Sequence, residues 1–511
     1  MTPKSLFPLI LLAACAFVSC SNQGNTVGGV SAGFMPAAQP FNDSRGKIKH
    51  IVIIVQENRS FDNFFDCFPG TDCVTTAPPP APQPSPGSQS SPCPAAFPTA
   101  SPGPTPTPIQ LTVGAPLPAY DPDHTYCPAF VTEYDGGKLD GFYWDDGLPG
   151  GPPELYPYRV VAEKAIQPYW DMATQYVLTD RMFPTQASGS FTAHQDLVRG
   201  NDVVAAGQSI VDFPLNSEHT SNWGCDDAKD TVTSLLTSKH QYLYNQGPFP
   251  CFSYETMRDL LDAKAISWKY YVPFWPKDGG QMWNAFDAIS AVRHDSSEWP
   301  HKPSAWTCST SCVTWPQTNV LCDAAGSTAS PCPAPSPKSG GVSLPAVSWV
   351  VPDNEDSDHY SPTGPGGKLI DDGPDWVANV VNAIGESSYW NSTAIVILWD
   401  DWGGFYDHVP PPQLDYVGLG FRVPMIIVSP YAKKGYVAHT QYEFGSILKF
   451  IESTFALPSL GTTDVRANNI NDAFNFRQKP RTFTPIKLLS KNHDRRFFLT
   501  RPPSNTPVDS E

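Results

Sequence analysis

Positive charge is scarce in this 511-residue chain. Thirty-three Lys and Arg stand against 50 Asp and Glu, a net charge of −17. That balance excludes a protein that grips a nucleic-acid backbone, which needs a cationic face. It leaves room for a phosphoester held by a bound cation. Charged residues of both signs make up only 16% of the chain and hydrophobic ones 40%, so most of it is globular with a large core. Long apolar runs are missing as well. No stretch reaches the ~18 uninterrupted apolar residues of a membrane span, which excludes a polytopic protein. One shorter run, Leu6 to Val18, follows Lys4 and has the length and place of a signal peptide.

Residues 1–20 therefore read as an export signal, ending Phe17–Val18–Ser19–Cys20 before the polar stretch Ser21–Val27. This resembles a bacterial lipoprotein signal. Cys20 is the expected lipid-bearing residue. Cys15, after Leu12–Ala13–Ala14, is the alternative, and plain secretion without lipid is a third reading. The chain is expected in the periplasm, on the cell surface or secreted, with that anchor as its sole membrane attachment. Of the 12 cysteines, ten lie beyond Cys20: Cys67, Cys73, Cys93, Cys127, Cys225, Cys251, Cys308, Cys312, Cys322 and Cys332. An even number in an exported chain predicts five disulfides. Cys308 and Cys312 sit among Ser, Thr and Pro with no His pair nearby, which argues against zinc.

The 56 prolines are about twice the usual ~5%. Thirteen fall in residues 78–108, and no charged residue occurs between Cys73 and Tyr120. This is an extended, low-complexity insert; a second covers 324–341. Residues 21–45 read as a flexible tether, 46–490 as one domain and 491–511 as a C-terminal tail. Within the domain, Lys47–Val55, Ile266–Val272, Val347–Val351, Thr393–Leu398 and Phe421–Val428 are apolar and rich in β-branched residues, as buried strands are. Tyr254–Ala263, Asp375–Ile384 and Phe444–Phe455 have helical spacing. The alternation predicts an α/β sandwich with a central, mostly parallel sheet flanked by helices. The 14 Trp and 20 Tyr could line a cationic head-group pocket, but no cluster stands out from ordinary core.

In such folds ligands sit beyond the carboxyl ends of the strands. Two strands end directly in polar clusters. One runs into Gln56–Glu57–Asn58–Arg59–Ser60–Phe61–Asp62, the other into Asp400–Asp401–Trp402–Gly403–Gly404. Glu57, Asn58, Asp400 and Asp401 are oxygen donors suited to a divalent cation. Taken singly, Asn58 and Asp401 could equally be turn formers and Glu57 a surface residue. Two such clusters in one chain favour a site.

The stretch around Glu57–Asp62 resembles the opening motif of the bacterial phosphoesterase family, which holds phospholipases C and acid phosphatases within the alkaline phosphatase superfamily. The resemblance continues in order. Asp123–His124–Thr125, Asp135–Phe142, Phe183–Gly200, Ser267–Tyr271 and Asp400–Val409 are similar to later blocks of that family, so the likeness spans 47–67 and 120–460 apart from the inserts. It implies an alkaline-phosphatase-like sandwich. It also implies a metal-dependent hydrolase of phosphate esters or phospholipids, either a phospholipase C or an acid phosphatase. Ser190, before Phe191–Thr192–Ala193–His194–Gln195, takes the place of the nucleophile, with Gly189 where the family has proline. A serine hydroxyl needs activation, which a cation and a helix N-terminus can supply. The implied metal ligands are Glu57, Asn58, Asp400 and Asp401, with Ser190 reaching the ion; Asn58 could instead hold a phosphoryl oxygen. The ion itself is left unnamed by an all-oxygen set. His124 and His359 are candidate phosphoryl-oxygen donors or leaving-group acids. His408 and His294 are candidate substrate contacts, His408 with turn bracing as its other reading. His194 is expected to pack behind the nucleophile. A surface-anchored binding protein without catalysis is the alternative from another class.

Overall fold

The computed structural model describes residues 43–81, 93, 107–114, 121–144, 155–216, 224–273, 282–299, 311–326, 330–332, 343–359 and 372–502. The expected signal, the cysteine expected to carry lipid and most of the expected tether lie outside them. So does nearly all of both proline-rich inserts. At the base of the first insert, Thr76–Ala77 pairs antiparallel with Ile109–Gln110.

An eight-stranded sheet forms the centre. Its strands are β1 (His50–Gln56), β2 (Val177–Thr179), β3 (Trp268–Tyr271), β4 (Cys312–Thr314), β5 (Val347–Val350), β6 (Thr393–Trp399), β7 (Met425–Val428) and β8 (Tyr436–Ala438), in the spatial order β4-β3-β5-β1-β6-β7-β2-β8. All neighbours are parallel except where β7 runs against β6 and β2. The architecture is thus α/β around a mostly parallel sheet. Strands β1, β5 and β6 hold Ile, Val, Leu and Trp on both faces, and all of their residues but His50 are buried. Alternation is absent because helices cover both sides.

Eight helices matter here: α1 (Phe61–Phe65), α2 (Gln167–Gln175), α3 (Ser190–Arg199), α4 (Met257–Asp262), α5 (Asn319–Ala325), α6 (Asp372–Gly385), α7 (Phe444–Phe455) and α8 (Arg495–Thr500). They gather in two groups: α3 touches α4 and α7, while α6 touches α2, α5 and α8. In α7, Phe444, Ile447, Leu448 and Ile451 follow helical spacing and are buried, and a reciprocal Glu443–Ser446 capping box starts the helix. A small antiparallel sheet, Val203–Ala205, Gln208–Leu215, Val232–Thr237 and Tyr242–Leu243, is a separate element that the sequence pattern did not indicate. Disulfides join Cys67 to Cys73, Cys93 to Cys127, Cys225 to Cys251 and Cys322 to Cys332, and Cys312 is disulfide-bonded too. Residues 491–502, read from the sequence as a tail, pack on the domain: Phe498 of α8 is buried against Trp376 of α6.

Candidate active site

The site follows from strand register. β1 and β6 are parallel neighbours, with Gln56 opposite Trp399. The next residues, Glu57 and Asp400, therefore leave the sheet side by side. The Asp400 N–H donates to the Gln56 carbonyl (2.9 Å), the Asn58 N–H to Asp400 Oδ1 (3.0 Å) and the Arg59 N–H to the Asp401 carbonyl (3.1 Å). Both turns are tight. Asn58 has φ +59°, and Gly403 has φ +57°. A Cβ on Gly403 would fall 2.4 Å from the Asn58 carbonyl oxygen, so this close approach of the two loops requires glycine.

Helix α3 brings the third component. Gly189 precedes it with φ −79°, a value that proline also adopts, so glycine keeps the turn that proline makes elsewhere in the resembling motif. Ser190 opens the helix with its Oγ donating to Asp401 Oδ2 (3.3 Å) and lying 3.4 Å from Asn58 Oδ1. Ser188 faces elsewhere: its Oγ accepts the Asp212 N–H at 2.8 Å. One turn after Ser190, His194 Nε2 lies 3.2 Å from Glu57 Oε1 and 3.8 Å from Asp400 Oδ2. His194 does not merely pack behind the serine, as its sequence position suggested. Four residues along one helix place both side chains on the same face, and that spacing was the available signal. Burial pushes the His194 imidazole down to about 4, against the opposing pull of Asp400, so it is neutral near pH 7.

Glu57, His194 and Asp400 place ligand atoms within 4.8 Å of one another, all buried. Asp400 Oδ2 has no hydrogen-bond partner. A buried, unpaired carboxylate oxygen beside a second carboxylate and a neutral imidazole is what a divalent cation would satisfy. The residues present fit such an ion. Asp401 and Asn58 adjoin this set at Ser190.

His124 is fully buried. Its Nδ1 donates to the Pro122 carbonyl (2.9 Å), which can only accept, and its Nε2 meets Asn58 Nδ2 at 2.8 Å. Asp401 Oδ2 is 4.0 Å from that Nε2. His359, also buried, has its ring centroid 6.4 Å from that of His124. Its loop is fastened to the end of β1: Gln56 Nε2 donates to the Asp356 carbonyl (3.1 Å), the Asp358 N–H to Gln56 Oε1 (2.8 Å) and Arg59 Nη2 to the Asp358 carbonyl (2.6 Å).

Two expected contacts sit differently. His408 belongs to a bracing network. Its ring Nδ1 and backbone N–H both bond Asp62, and buried Arg422 spans Asp62 and Asp407 at 2.8–3.1 Å. Burial alone would lower the His408 pKa, but the bond to Asp62 and the charges of Asp62 and Asp407 outweigh it and raise the value. His294 is not brought to the site. It is exposed on the surface, its Nδ1 bonds the Ser290 carbonyl of its own turn (3.0 Å), and its neighbours Cys225 and Cys251 are locked in a disulfide.

The model of the Phosphoesterase family matches residues 48–458. The chain belongs to the Phosphoesterase family. This phosphoesterase is 25% identical over 490 residues to Phospholipase C B of Mycobacterium tuberculosis, covering 90% of this chain and 83% of that one. It is 28% identical over 170 residues to Non-hemolytic phospholipase C of Pseudomonas aeruginosa (26% and 24% covered). It is 34% identical over 148 residues to Non-specific phospholipase C6 of Arabidopsis thaliana (23% and 28% covered). Among solved structures, a protein in the alkaline phosphatase superfamily from Vibrio parahaemolyticus aligns at TM-score 0.35 and 10% identity, over 83% of this chain and 71% of that one. Family membership makes the chain a hydrolase of phosphoric esters. Among the described residues no helix is long and apolar enough to cross a membrane.

Proposed function

We propose that this phosphoesterase is metal-dependent, uses Ser190 as its nucleophile, and acts on phosphodiesters of the phospholipid type. One observation carries the reading: the Ser190 hydroxyl, at a helix N-terminus, meets Asp401 and Asn58 beside the Glu57–His194–Asp400 cluster. Ser190 Oγ attacks phosphorus in line and yields its proton toward Asp401. The helix N-terminus offers backbone N–H groups and a favourable dipole to the phosphoryl oxygens. A divalent ion held by Glu57, Asp400 and His194, with Asp401 and Asn58 adjoining, would supply Lewis-acid stabilisation of the serine alkoxide and the phosphoryl charge. Asn58 bridges Ser190 and His124 and is placed to orient a phosphoryl oxygen. His359 serves as the acid for the departing alcohol. Water then releases the phosphoryl group from Ser190. Glu57, Asn58, Ser190, Asp400 and Asp401 are all present at one site, more than binding alone requires, which weighs against a catalytically inactive binding protein.

The phospholipase C reading rests on the relatives, which are phospholipases C by name; an acid phosphatase is the runner-up within the class. Purified protein is assayed on p-nitrophenylphosphorylcholine and p-nitrophenyl phosphate, with and without chelator. Chelator-sensitive turnover of the diester supports the proposal. Preference for the monoester at acid pH supports the runner-up. Export with lipid on Cys20 is part of the same proposal, tested by mass spectrometry of the mature N-terminus.

A further inference from the structure

Trp283 lies against the site. Its ring is fully buried, with its centroid 5.5 Å from that of His359 and 6.5 Å from that of His194, nearly parallel to the latter at 17°. The backbone there is fastened. Tyr270 Oη donates to the Trp283 carbonyl (2.8 Å), the Ala285 N–H donates to Tyr270 Oη (3.4 Å), and Gln195 Nε2 from α3 donates to the Ala285 carbonyl (2.8 Å). The indole is thus held between two histidines of the site by bonds to the end of β3 and to the helix that carries Ser190.

Its Nε1–H is buried and has no acceptor. Three other deeply buried indoles do pair: Trp349 donates to the Leu197 carbonyl, Trp399 to Asp358 and Trp402 to Glu133, whereas that of Trp376, far from the site in α6, does not. Both polar atoms of the adjacent Asn284 side chain are also buried and unpaired. Two consecutive residues with three orphaned polar atoms depart from the rule that buried polar groups are satisfied. Such an exception at a site wall is explained if the missing partner is the substrate, because stability is commonly given up where a ligand must be met.

We propose that Trp283 is a substrate-binding residue: its indole N–H, between His194 and His359, donates to an oxygen of the bound phosphoester. The inference rests on the phosphoesterase site proposed above and deepens it. A neutral donor suits the position, since it adds directionality without a further charge beside a metal centre. The oxygen could belong to the phosphoryl group or to the alcohol portion of the ester; both are hydrogen-bond acceptors.

Trp283→Phe keeps an aromatic ring and deletes the N–H. Trp376→Phe is the control, because Trp376 in α6 is a second buried indole without an acceptor and packs against Phe498. Turnover of p-nitrophenylphosphorylcholine, inhibition by inorganic phosphate and thermal unfolding are measured for the metal-loaded full chain. The expected result is a fall in kcat/KM of about tenfold or more for Trp283→Phe, with a melting temperature lowered no further than in Trp376→Phe, because both variants lose ring volume along with an unsatisfied buried donor. Trp376→Phe leaves kcat/KM unchanged. Weaker phosphate inhibition in Trp283→Phe assigns the contact to a phosphoryl oxygen; loss on the ester alone assigns it to the alcohol portion. Wild-type kcat/KM in Trp283→Phe, or a lower melting temperature together with an equal loss in both variants, overturns the inference while the proposed function stands. A wild-type protein that neither turns over esters nor binds phosphate overturns both.

Discussion

Ser188 and Ser190 lie two residues apart and meet opposite surroundings. Ser190 Oγ faces Asp401 and Asn58, whereas Ser188 Oγ takes the Asp212 N–H of the small sheet. Ser190→Ala is expected to lower kcat by at least ~10³-fold with the fold and most metal binding intact, if covalent catalysis is lost. Ser188→Ala should stay within about tenfold in rate, about 1.4 kcal/mol in the barrier. It should instead lower stability by about 1–3 kcal/mol, because a buried N–H loses its acceptor. Parallel assays and melting curves separate the two. Asp400→Asn removes charge from the unpaired oxygen beside Glu57 and His194. It should lower bound divalent metal and activity together; unchanged metal by elemental analysis would contradict that assignment. Much of this chemistry is legible in the sequence, since residues that leave two adjacent parallel strands must meet. His194 was less legible, because a histidine on a helix points at a metal site or at core according to what the tertiary fold sets beside it. Trp283 left no local signal at all, for its neighbours come from β3, α3 and the loop after β5.

At the scale of elements, α3 is anchored at both ends. Its first residue enters the site, and its far half buries Asp196, which lies beside Asp202 just past the helix. Burial pushes the Asp202 carboxyl up to about 7 and raises Asp196 as well, the latter further by the nearby Asp202 charge. Gln186, Tyr254, Arg199 and Glu443 face the pair. A carboxyl with its folded pKa raised above an unfolded value of ~3.9 keeps a proton that the unfolded chain releases. The stabilisation is complete below about pH 4 and is lost as pH rises through about 7. Asp202→Asn should therefore flatten the fall in melting temperature between about pH 4 and 7; a slope equal to wild type would contradict the raised carboxyl. Long elements such as β1, β6 and α7 were readable from apolar runs and helical spacing. The three-residue strands β2, β4 and β8 were not, because so few residues carry no period and only neighbouring strands define them. The antiparallel sense of β7 was equally invisible, since its Met-Ile-Ile-Val matches a parallel strand.

Across the whole molecule, the last described residues return to the site. Arg501, just past α8, bonds Asp353 (3.0 Å) and Asp356 (2.7 Å) in the loop that carries His359. Both carboxylates are buried, and Asp356 is raised by burial and by the charge of Asp353, with Arg501 opposing. Arg501→Gln leaves two buried acids without their cation, a loss of about 3–5 kcal/mol for a fully buried pair. The expected outcome is a lower melting temperature and lower turnover, with Arg501→Lys recovering part of both. Unchanged kinetics would show that the loop holds His359 without the C-terminus. This closure was not legible beforehand, because residues 491–511 are mostly polar and aperiodic, and a clasp depends on what a distant arginine finds in three dimensions.

The most direct measurement is to quench the metal-loaded enzyme in acid during turnover of a phosphodiester and map the covalent phosphoryl group by mass spectrometry. The group is expected on Ser190, absent from Ser190→Ala and lost when a chelator precedes substrate. A label on Ser188, or full turnover with no labelled serine at any time point, would contradict Ser190 as the nucleophile.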